Sequence, residues 1–163
     1  MAAFETKVLQ PHILQYCICE GWYGFLCLLA FAIAGLDIIE NSAISQLLIY
    51  FGIFLVVYLT YQFFYLLRMK YVITDEQLIF LHGVFQHSTD YMELYRVIDY
   101  QQNRTLLQQL FGIKTVTILS GDRNMNRLDI IGVLENENVV SEIRQRVEYN
   151  KRMKSIYEIT NRF

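Results

Sequence analysis

The chain has 163 residues, of which 54% are hydrophobic, and its 14 Lys and Arg nearly balance 16 Asp and Glu. A nucleic-acid-binding surface clusters basic residues well beyond neutrality, so this balance argues against a nucleic-acid partner. The length fits one compact domain beside a membrane segment. We therefore expect an N-terminal interfacial segment (1–21), a transmembrane hairpin (22–67) and a soluble domain (68–163).

The N-terminal residues 2–20 carry apolar side chains at spacings that can share one side of a helix. Pro11, the only proline, suits the first turn of a helix. The pattern predicts a helix from about Pro11 that lies in the membrane interface and bends into the first span at Gly21. Two alternatives stay open: the segment extends the membrane helix, or it covers the soluble domain.

Three cysteines, Cys17, Cys19 and Cys27, lie in or beside the first apolar run of the chain. If this run enters the membrane from the cytoplasm, the cysteines face the reducing side or lipid, which disfavours a disulfide. Cys17 and Cys19 have no second pair of zinc ligands at a suitable spacing elsewhere in the sequence. We expect structural thiols, and a palmitoyl-type anchor is the less favoured alternative.

Two long apolar runs, 22–39 and 44–67, dominate the first part of the sequence. A helix of about 20 mostly apolar residues crosses a bilayer and satisfies its own backbone hydrogen bonds there. The runs therefore predict two membrane spans. A buried globular hairpin would alternate apolar and polar faces, which neither run does. A cleavable signal peptide starts with a short basic stretch, whereas Glu5 and Glu20 precede the first run.

The basic residues predict the orientation of this hairpin. Arg68 and Lys70 follow the second run directly, whereas the link 40–43 contains no Lys or Arg. Of the 14 basic residues, 13 lie at or after Arg68. Basic residues that flank a span stay on the cytoplasmic side. We therefore expect both termini and the soluble domain to lie in the cytoplasm.

The second run carries a polar and aromatic face formed by Phe54, Tyr58, Tyr61 and Tyr65. Because hydroxyl groups can hydrogen-bond across helices in lipid, this face is expected to pack against the first helix or another subunit. A substrate pathway would show ionisable residues inside the spans, and Asp37 is the only one within the two runs. A transporter is therefore the least favoured function.

Beyond Lys70 the hydrophobic period changes from helical to twofold, which is typical of strands. Strands are predicted at 71–74, 77–81, 84–91, 96–102, 113–120 and 127–133. A short helix is predicted over 105–111, and it ends at Gly112, where a left-handed cap favours glycine. From Val139 onward, apolar residues recur at spacings of three and four, which predicts an amphipathic helix that covers an open end of the sheets.

Two sequence blocks, YVITDEQLIFLHGVF (71–85) and RVIDYQQNRTLLQQLFGIKTVTILSGD (96–122), resemble the membrane-associated bacterial pleckstrin-homology (PH) family. The positions that match are Tyr71, Thr74, Leu78, Gly83, Ile98, Leu107, Phe111, Gly112 and Ile113. Two positions depart from the family pattern, since Gln109 replaces a usual basic residue and Lys114 replaces a usual second glycine.

The resemblance implies an α+β membrane protein. A two-helix transmembrane hairpin would be followed by a PH-like antiparallel β-barrel or sandwich, capped by a C-terminal α-helix. The resemblance also implies a multi-pass protein of the bacterial inner membrane.

The sequence contains no recognisable catalytic constellation and no glycine-rich phosphate loop, so we expect neither an enzyme nor a bound cofactor. His82 and His87 flank Gly83 at a presumed strand connection. A zinc site or proton relay would need further ligands, and surface histidines beside a turn are favoured instead. No metal site is expected.

The most polar loop, 121–127, contains two arginines that could contact an anion or lipid headgroup. Lys114, Arg123 and Arg127 are the candidate residues for this contact. A solvated hairpin loop is the favoured alternative. A basic cluster near the C-terminus could also assist at an anionic membrane surface, and it consists of Lys151, Arg152 and Lys154.

Together these features favour a non-enzymatic, membrane-anchored interaction or scaffold module, as an oligomeric or accessory subunit of a bacterial envelope complex. The expected partners are membrane lipids and either another protein or a second copy of the chain. One alternative is a sensor of anionic lipid headgroups. The other is a subunit of a transporter or enzyme.

Overall fold

The computed structural model describes residues 4–36, 42–123 and 125–154. Its helices and strands, in chain order, are β1 (Lys7–Leu9), α1 (Leu14–Gly35), α2 (Ser42–Arg68), β2 (Lys70–Ile73), β3 (Gln77–His82), β4 (Ser88–Glu93), a 3₁₀ turn (Leu94–Arg96), β5 (Val97–Asn103), α3 (Leu106–Leu110), β6 (Ile113–Ser120), β7 (Arg127–Leu134) and α4 (Val139–Met153). Asp37, the ionisable residue of the first apolar run, lies outside the described residues.

Helices α1 and α2 form the hairpin that the two apolar runs predict. Both are long and apolar enough to cross a membrane, and at 1.5 Å per residue they measure about 33 and 40 Å. The helices touch closely where Phe31 lies over Gly52, because a Cβ added at Gly52 would come within 2.8 Å of the Phe31 ring. The Sγ atom of Cys27 lies 3.7 Å from the same glycine's carbonyl oxygen. Small residues therefore set the approach of the two helices.

The first residues join the β domain before the chain enters α1. Strand β1 pairs antiparallel with β2, and Val8 lies opposite Val72. Helix α1 begins at Leu14 and continues to Gly35. Its start is held at β7, because the His12 amide donates to the Gly132 carbonyl at 2.9 Å. The segment thus combines both alternatives that the sequence left open: it extends the helix and covers the β domain.

The strands form two antiparallel sheets, with strand orders β1-β2-β3-β4 and β5-β6-β7. They are not closed into a barrel among the residues described, so the two-sheet form of the predicted fold is the one observed. The predicted strands are present, but the prediction for 84–91 is wrong in its first half. Strand β4 begins only at Ser88, because Gly83 has a φ of +107° and opens a turn.

Helix α4 covers the sheets as its amphipathic pattern predicts. Val139, Ile143 and Val147 are buried in one core together with side chains from both sheets. Arg146 is also buried, and its guanidinium donates to the carbonyls of Glu5, Ile73 and Thr74 at 2.6–3.3 Å. One helix therefore supplies both apolar burial and a polar tie to β1 and β2.

The β domain has two ends that differ in their relation to the helices. We call the end beside α1 and α2 the helix-facing end, and it contains α3 and the β3–β4 turn. We call the other the distal end, and it contains the 3₁₀ turn, the β2–β3 turn and the β6–β7 loop. Hydrogen bonds join these distal elements, since Leu94 donates to Glu76 and Gly121 donates to Arg96, both at 2.9 Å.

Candidate functional site

A chain of aromatic rings joins α2 to the core of the β domain. In spatial order the rings are those of Phe85, Tyr61, Tyr65, His82, Phe80 and Tyr71. Neighbouring ring centroids are 4.5–6.4 Å apart, which is the range in which aromatic pairs attract each other. The hairpin and the β domain are therefore packed against each other at this junction.

Hydrogen bonds between polar side chains also hold the junction together. The Tyr65 hydroxyl lies 3.4 Å from His82 Nδ1, and His82 Nε2 lies 3.0 Å from a carboxylate oxygen of Asp90. A tautomer with its proton on Nε2 satisfies both contacts, because Nε2 then donates to Asp90 and Nδ1 accepts from Tyr65. The carboxylate fixes the ring, and the ring in turn orients the tyrosine.

The two histidines flanking Gly83 have separate partners. His87 Nε2 accepts from the Arg68 guanidinium at 3.0 Å, whereas His82 is held by Tyr65 and Asp90. Within the described ranges no group of three or more His, Cys, Asp or Glu side chains could hold a metal ion. The two histidines serve as structural contacts of the junction in this arrangement.

A cavity of about 200 Å³ lies behind the junction, between α1, α2 and β7. Its polar wall includes Gln15, Glu20 and Gln62. One carboxylate oxygen of Glu20 is buried and accepts no hydrogen bond from the residues described. Gln15 is held in place, since Gln108 Nε2 donates to its Oε1 at 3.0 Å. Apart from these groups the lining is mainly apolar, and it includes Leu66, Met69 and Ile131.

Sequence reasoning missed this cavity. Gln15 and Gln108 are 93 positions apart, and Gln15 belongs to no sequence motif. A signal for Gln108 does exist in its capping box with Thr105, but that pattern predicts a helix start and says nothing about α1.

The three residues predicted to contact an anion are not brought together. Lys114 is buried at the helix-facing end, and its Nζ donates to the carbonyls of Glu135 and Glu137 at 3.1 and 2.8 Å. Burial lowers the pKa of Lys114, and the nearby Arg104 lowers it further. Its ammonium thus ties β6 to the connection between β7 and α4.

Arg123 and Arg127 lie at the other end of β6. Arg127 pairs across the strands with Leu119, and its Nε donates to both carboxylate oxygens of Asp129 at 3.1 and 3.2 Å. Arg123 is exposed in the distal loop. Headgroup contact by these two arginines stays a prediction, and it would occur on the side of the domain that faces away from the helices.

The tail cluster has the same distal position. Lys154 Nζ lies 4.1 Å from the centroid of the Tyr95 ring, which belongs to the 3₁₀ turn. Lys151 and Arg152 belong to the last turn of α4. Contact of these residues with an anionic surface stays a prediction as well.

The predicted packing face on α2 is divided between several neighbours. Tyr58 packs edge-on against Tyr23 of α1 at 5.4 Å. Tyr61 and Tyr65 face the β domain through the aromatic chain. Phe54 is 66% exposed. Only part of the face therefore contacts the first helix.

A second stripe on α2 is exposed along its length, although its member Tyr61 also packs against Phe85. Its apolar members are exposed and recur at alternating spacings of three and four: Leu47, Tyr50, Phe54, Val57, Tyr61 and Phe64. We call it the outer stripe of α2. This heptad-like spacing is the pattern that lets helices pack along a seam.

Comparison with known proteins identifies a family. A family model described as Bacterial PH domain matches residues 24–150, from within α1 to near the end of α4. The match confirms the resemblance that the strand blocks indicated. No curated protein and no solved structure gives a significant match.

Proposed function

The chain belongs to the bacterial PH domain family, and from this premise we propose that it is a non-enzymatic, membrane-anchored interaction module. Its two helices cross the bacterial inner membrane, and its β domain lies on the cytoplasmic side. There the chain acts as a scaffold that associates with a second copy or with another protein of the envelope. The observation that carries this proposal is the packed junction between the hairpin and the β domain.

The junction supports a scaffold because it fixes one part of the protein relative to the other. A flexible tether would leave the domain free to rotate beneath the membrane. Here Tyr65, His82 and Asp90 form a linked set of contacts across the boundary, and Arg68 adds a second link to His87. The β domain would therefore present the same surfaces at a constant height and angle.

The charge distribution supports the orientation. Arg68 and Lys70 lie at the junction, on the β-domain side of the helices. Basic residues beside a span favour the cytoplasmic side of the membrane. Both termini are then cytoplasmic, because two spans return the chain to the side from which it started.

The outer stripe of α2 supports self-association. Tyr50 is 70% exposed in the first half of α2, at a depth where lipid offers no hydrogen-bond partner. A second copy of the helix would provide both an apolar seam and polar groups for such hydroxyls. We therefore name a second copy of the chain as the first partner to test.

The test is the mass of the full chain in mild detergent, measured by light scattering after size separation. The proposal predicts a protein mass of twice 19.3 kDa or a higher multiple, or a defined complex with a co-purifying protein. A monomer without a companion would refute the scaffold.

A matched pair of variants separates the stripe from the rest of the helix. Val57 belongs to the outer stripe, whereas its neighbour Val56 is exposed on a different face. Val57→Trp should reduce the associated fraction because the larger side chain obstructs the seam. Val56→Trp should leave the mass unchanged. Equal effects of the two substitutions would rule out the stripe as the contact.

A further inference from the structure

The short helix α3 exposes most of its apolar side chains. Leu106 is 84% exposed and Leu110 is 78% exposed, and Leu107 and Phe111 are exposed beside them. The helix is nevertheless well defined. A capping box between Thr105 and Gln108 closes its start. An ordered apolar surface of this kind marks a contact with another apolar phase.

The position of α3 relative to the membrane helices is fixed by a buried hydrogen bond. Gln108 Nε2 donates to Gln15 Oε1 at 3.0 Å, and Gln15 belongs to the first turn of α1. Gln108 also donates to Thr115 of β6 at 2.9 Å. The exposed leucines are therefore held beside the point at which α1 leaves the β domain.

The β3–β4 turn forms a second apolar tip, beside α2. Phe85 is 90% exposed, and its ring centroid lies 6.2 Å from that of Tyr61. Gly83 has a φ of +107°, and a Cβ there would collide with the Gln86 carbonyl. The turn therefore requires glycine at this position, and its conformation places Phe85 beside α2.

The two tips lie at the same height on the hairpin. Tyr16, in the first turn of α1, donates to the Leu59 carbonyl at 2.9 Å and packs against Phe63 at 5.4 Å. The start of α1 is thus level with residues 59–63 of α2. That stretch includes Tyr61, against which Phe85 packs.

This height lies within about two helical turns of the ends of the apolar runs, at Trp22 and Leu67. Tyr58, Tyr61 and Tyr65 lie here on α2, and Trp22 and Tyr23 lie slightly further along α1. Tyr and Trp concentrate at the level of lipid headgroups. The level of the two tips is therefore that of the membrane interface.

We propose that the helix-facing end of the β domain is inserted into the phospholipid interface through α3 and the β3–β4 turn. The apolar side chains of these two tips enter the upper acyl region. Arg68, about two helical turns beyond Tyr61, and Lys70, at the start of β2, then reach the phosphate groups. The β domain is thus a lipid-contacting body in its own right. This inference depends on the proposed membrane crossing of the hairpin.

Fluorescence quenching by lipid tests the contact on the full chain. Trp22 is the only tryptophan, so Trp22→Phe provides a silent background. Leu110→Trp and Phe85→Trp then place probes in the two tips. Ile98→Trp is the matched control, because Ile98 is 68% exposed but lies at the distal end, 3.5 Å from the Cβ position of Gly121. All proteins are reconstituted in liposomes that contain phosphatidylcholine brominated in the acyl chains.

The inference predicts that both tip probes lose emission to an extent comparable with Trp22 in the native chain, whereas the Ile98→Trp probe keeps its emission. Tip probes that are quenched no more than the control, in a chain whose Trp22 is quenched, would overturn the lipid contact and leave the membrane crossing intact. A blue-shifted but unquenched tip probe would overturn it in favour of a protein contact. An unquenched Trp22 would overturn the crossing and the inference together.

Discussion

The two ends of the β domain differ in the contacts that hold them. At the helix-facing end, aromatic rings and buried amides connect the sheets to α1 and α2. At the distal end, ion pairs join neighbouring elements, such as Arg96 with Asp122 at 3.3 Å and the more exposed pair of Arg127 with Asp129 at 3.1 Å. The same strands run through both ends. The helix-facing end is therefore suited to packing against α1 and α2, and the distal end is suited to contact with water.

A second contrast separates the buried cations of the domain from the exposed ones. Lys114 and Arg146 are almost fully covered and donate to backbone carbonyls. Arg123 is exposed, and Arg127 pairs with a half-exposed carboxylate. Removal of a buried donor leaves its carbonyl partners without a hydrogen bond. Removal of an exposed donor leaves partners to which water can donate instead. Substitutions at buried and exposed positions should therefore differ in effect.

The largest effect is expected at Gly132, where β7 meets the start of α1. Gly132 and Gly112 have nearly the same φ, +65° and +64°. A Cβ at Gly132 would lie 2.9 Å from the His12 nitrogen, whereas a Cβ at Gly112 meets nothing within 4 Å. Gly132→Ala should lower the free energy of unfolding by about 4 kcal/mol. Part of this loss comes from alanine in a left-handed conformation, and the rest comes from displacement of the backbone at His12.

Gly112→Ala is the matched control, with an expected loss of about 1–2 kcal/mol from the left-handed conformation alone. Chemical denaturation of the full chain in detergent measures both values. Equal losses of unfolding free energy in the two variants would mean that the contact between α1 and β7 can adjust to a methyl group at position 132.

The next largest effect is expected at Arg146. Arg146→Met keeps an unbranched apolar stem but removes the donor from three carbonyls. The expected loss is about 3 kcal/mol in the free energy of unfolding. On the opposite face of α4, Arg144 forms an exposed pair with Glu148 at 3.0 Å. Arg144→Met should cost less than about 0.5 kcal/mol, and a similar cost for both variants would contradict the anchoring role of Arg146.

Lys114 should add a pH dependence to the stability of the helix-facing end. Because its pKa in the fold lies below the ordinary value of 10.5, the unfolded chain binds more protons between the two values. The free energy of unfolding therefore rises with pH across that window. Lys114→Met should remove this rise and cost about 2 kcal/mol at neutral pH, because it leaves two carbonyls without a donor.

Denaturation of the native chain and the Lys114→Met variant between pH 7 and pH 10.5 gives the comparison. The stability of the native chain relative to the variant should increase with pH. A constant difference would show that Lys114 is effectively solvated.

The smallest effect is expected at the distal loop. Arg123→Ala combined with Arg127→Ala should change the free energy of unfolding by less than about 0.5 kcal/mol, because exposed ion pairs contribute little. Flotation of the reconstituted chain with added anionic vesicles measures the headgroup contact. Salt-sensitive capture of these vesicles that disappears in the double variant would favour the lipid-sensor alternative. Unchanged capture would eliminate it.

The periodic part of the fold could be predicted from the sequence. Alternation identified the strands, and the spacing of Val139, Ile143 and Val147 identified the helix that covers them. The family resemblance, now confirmed, indicated the order of hairpin and β domain. Strand β1 was not predicted, because a strand of three residues is too short to show a period.

The site residues were harder to predict because they depend on local irregularity and long-range contact. The pairing of β6 with β7 shifts register between Lys114 and Val116. Ile113 and Lys114, which follow each other at the start of β6, are therefore both buried. Regular alternation would have placed Lys114 on the exposed side. The contact between Gln15 and Gln108 depends on the packing of α1 against α3, which local patterns do not encode.

Protease accessibility tests most directly whether the hairpin holds the β domain on the cytoplasmic face. The full chain would carry an epitope after residue 163, and trypsin would be added to inverted inner-membrane vesicles and, separately, to intact spheroplasts. The account predicts loss of the epitope in the inverted vesicles and its protection in the spheroplasts. Digestion in the spheroplasts, with protection in the inverted vesicles, would contradict it.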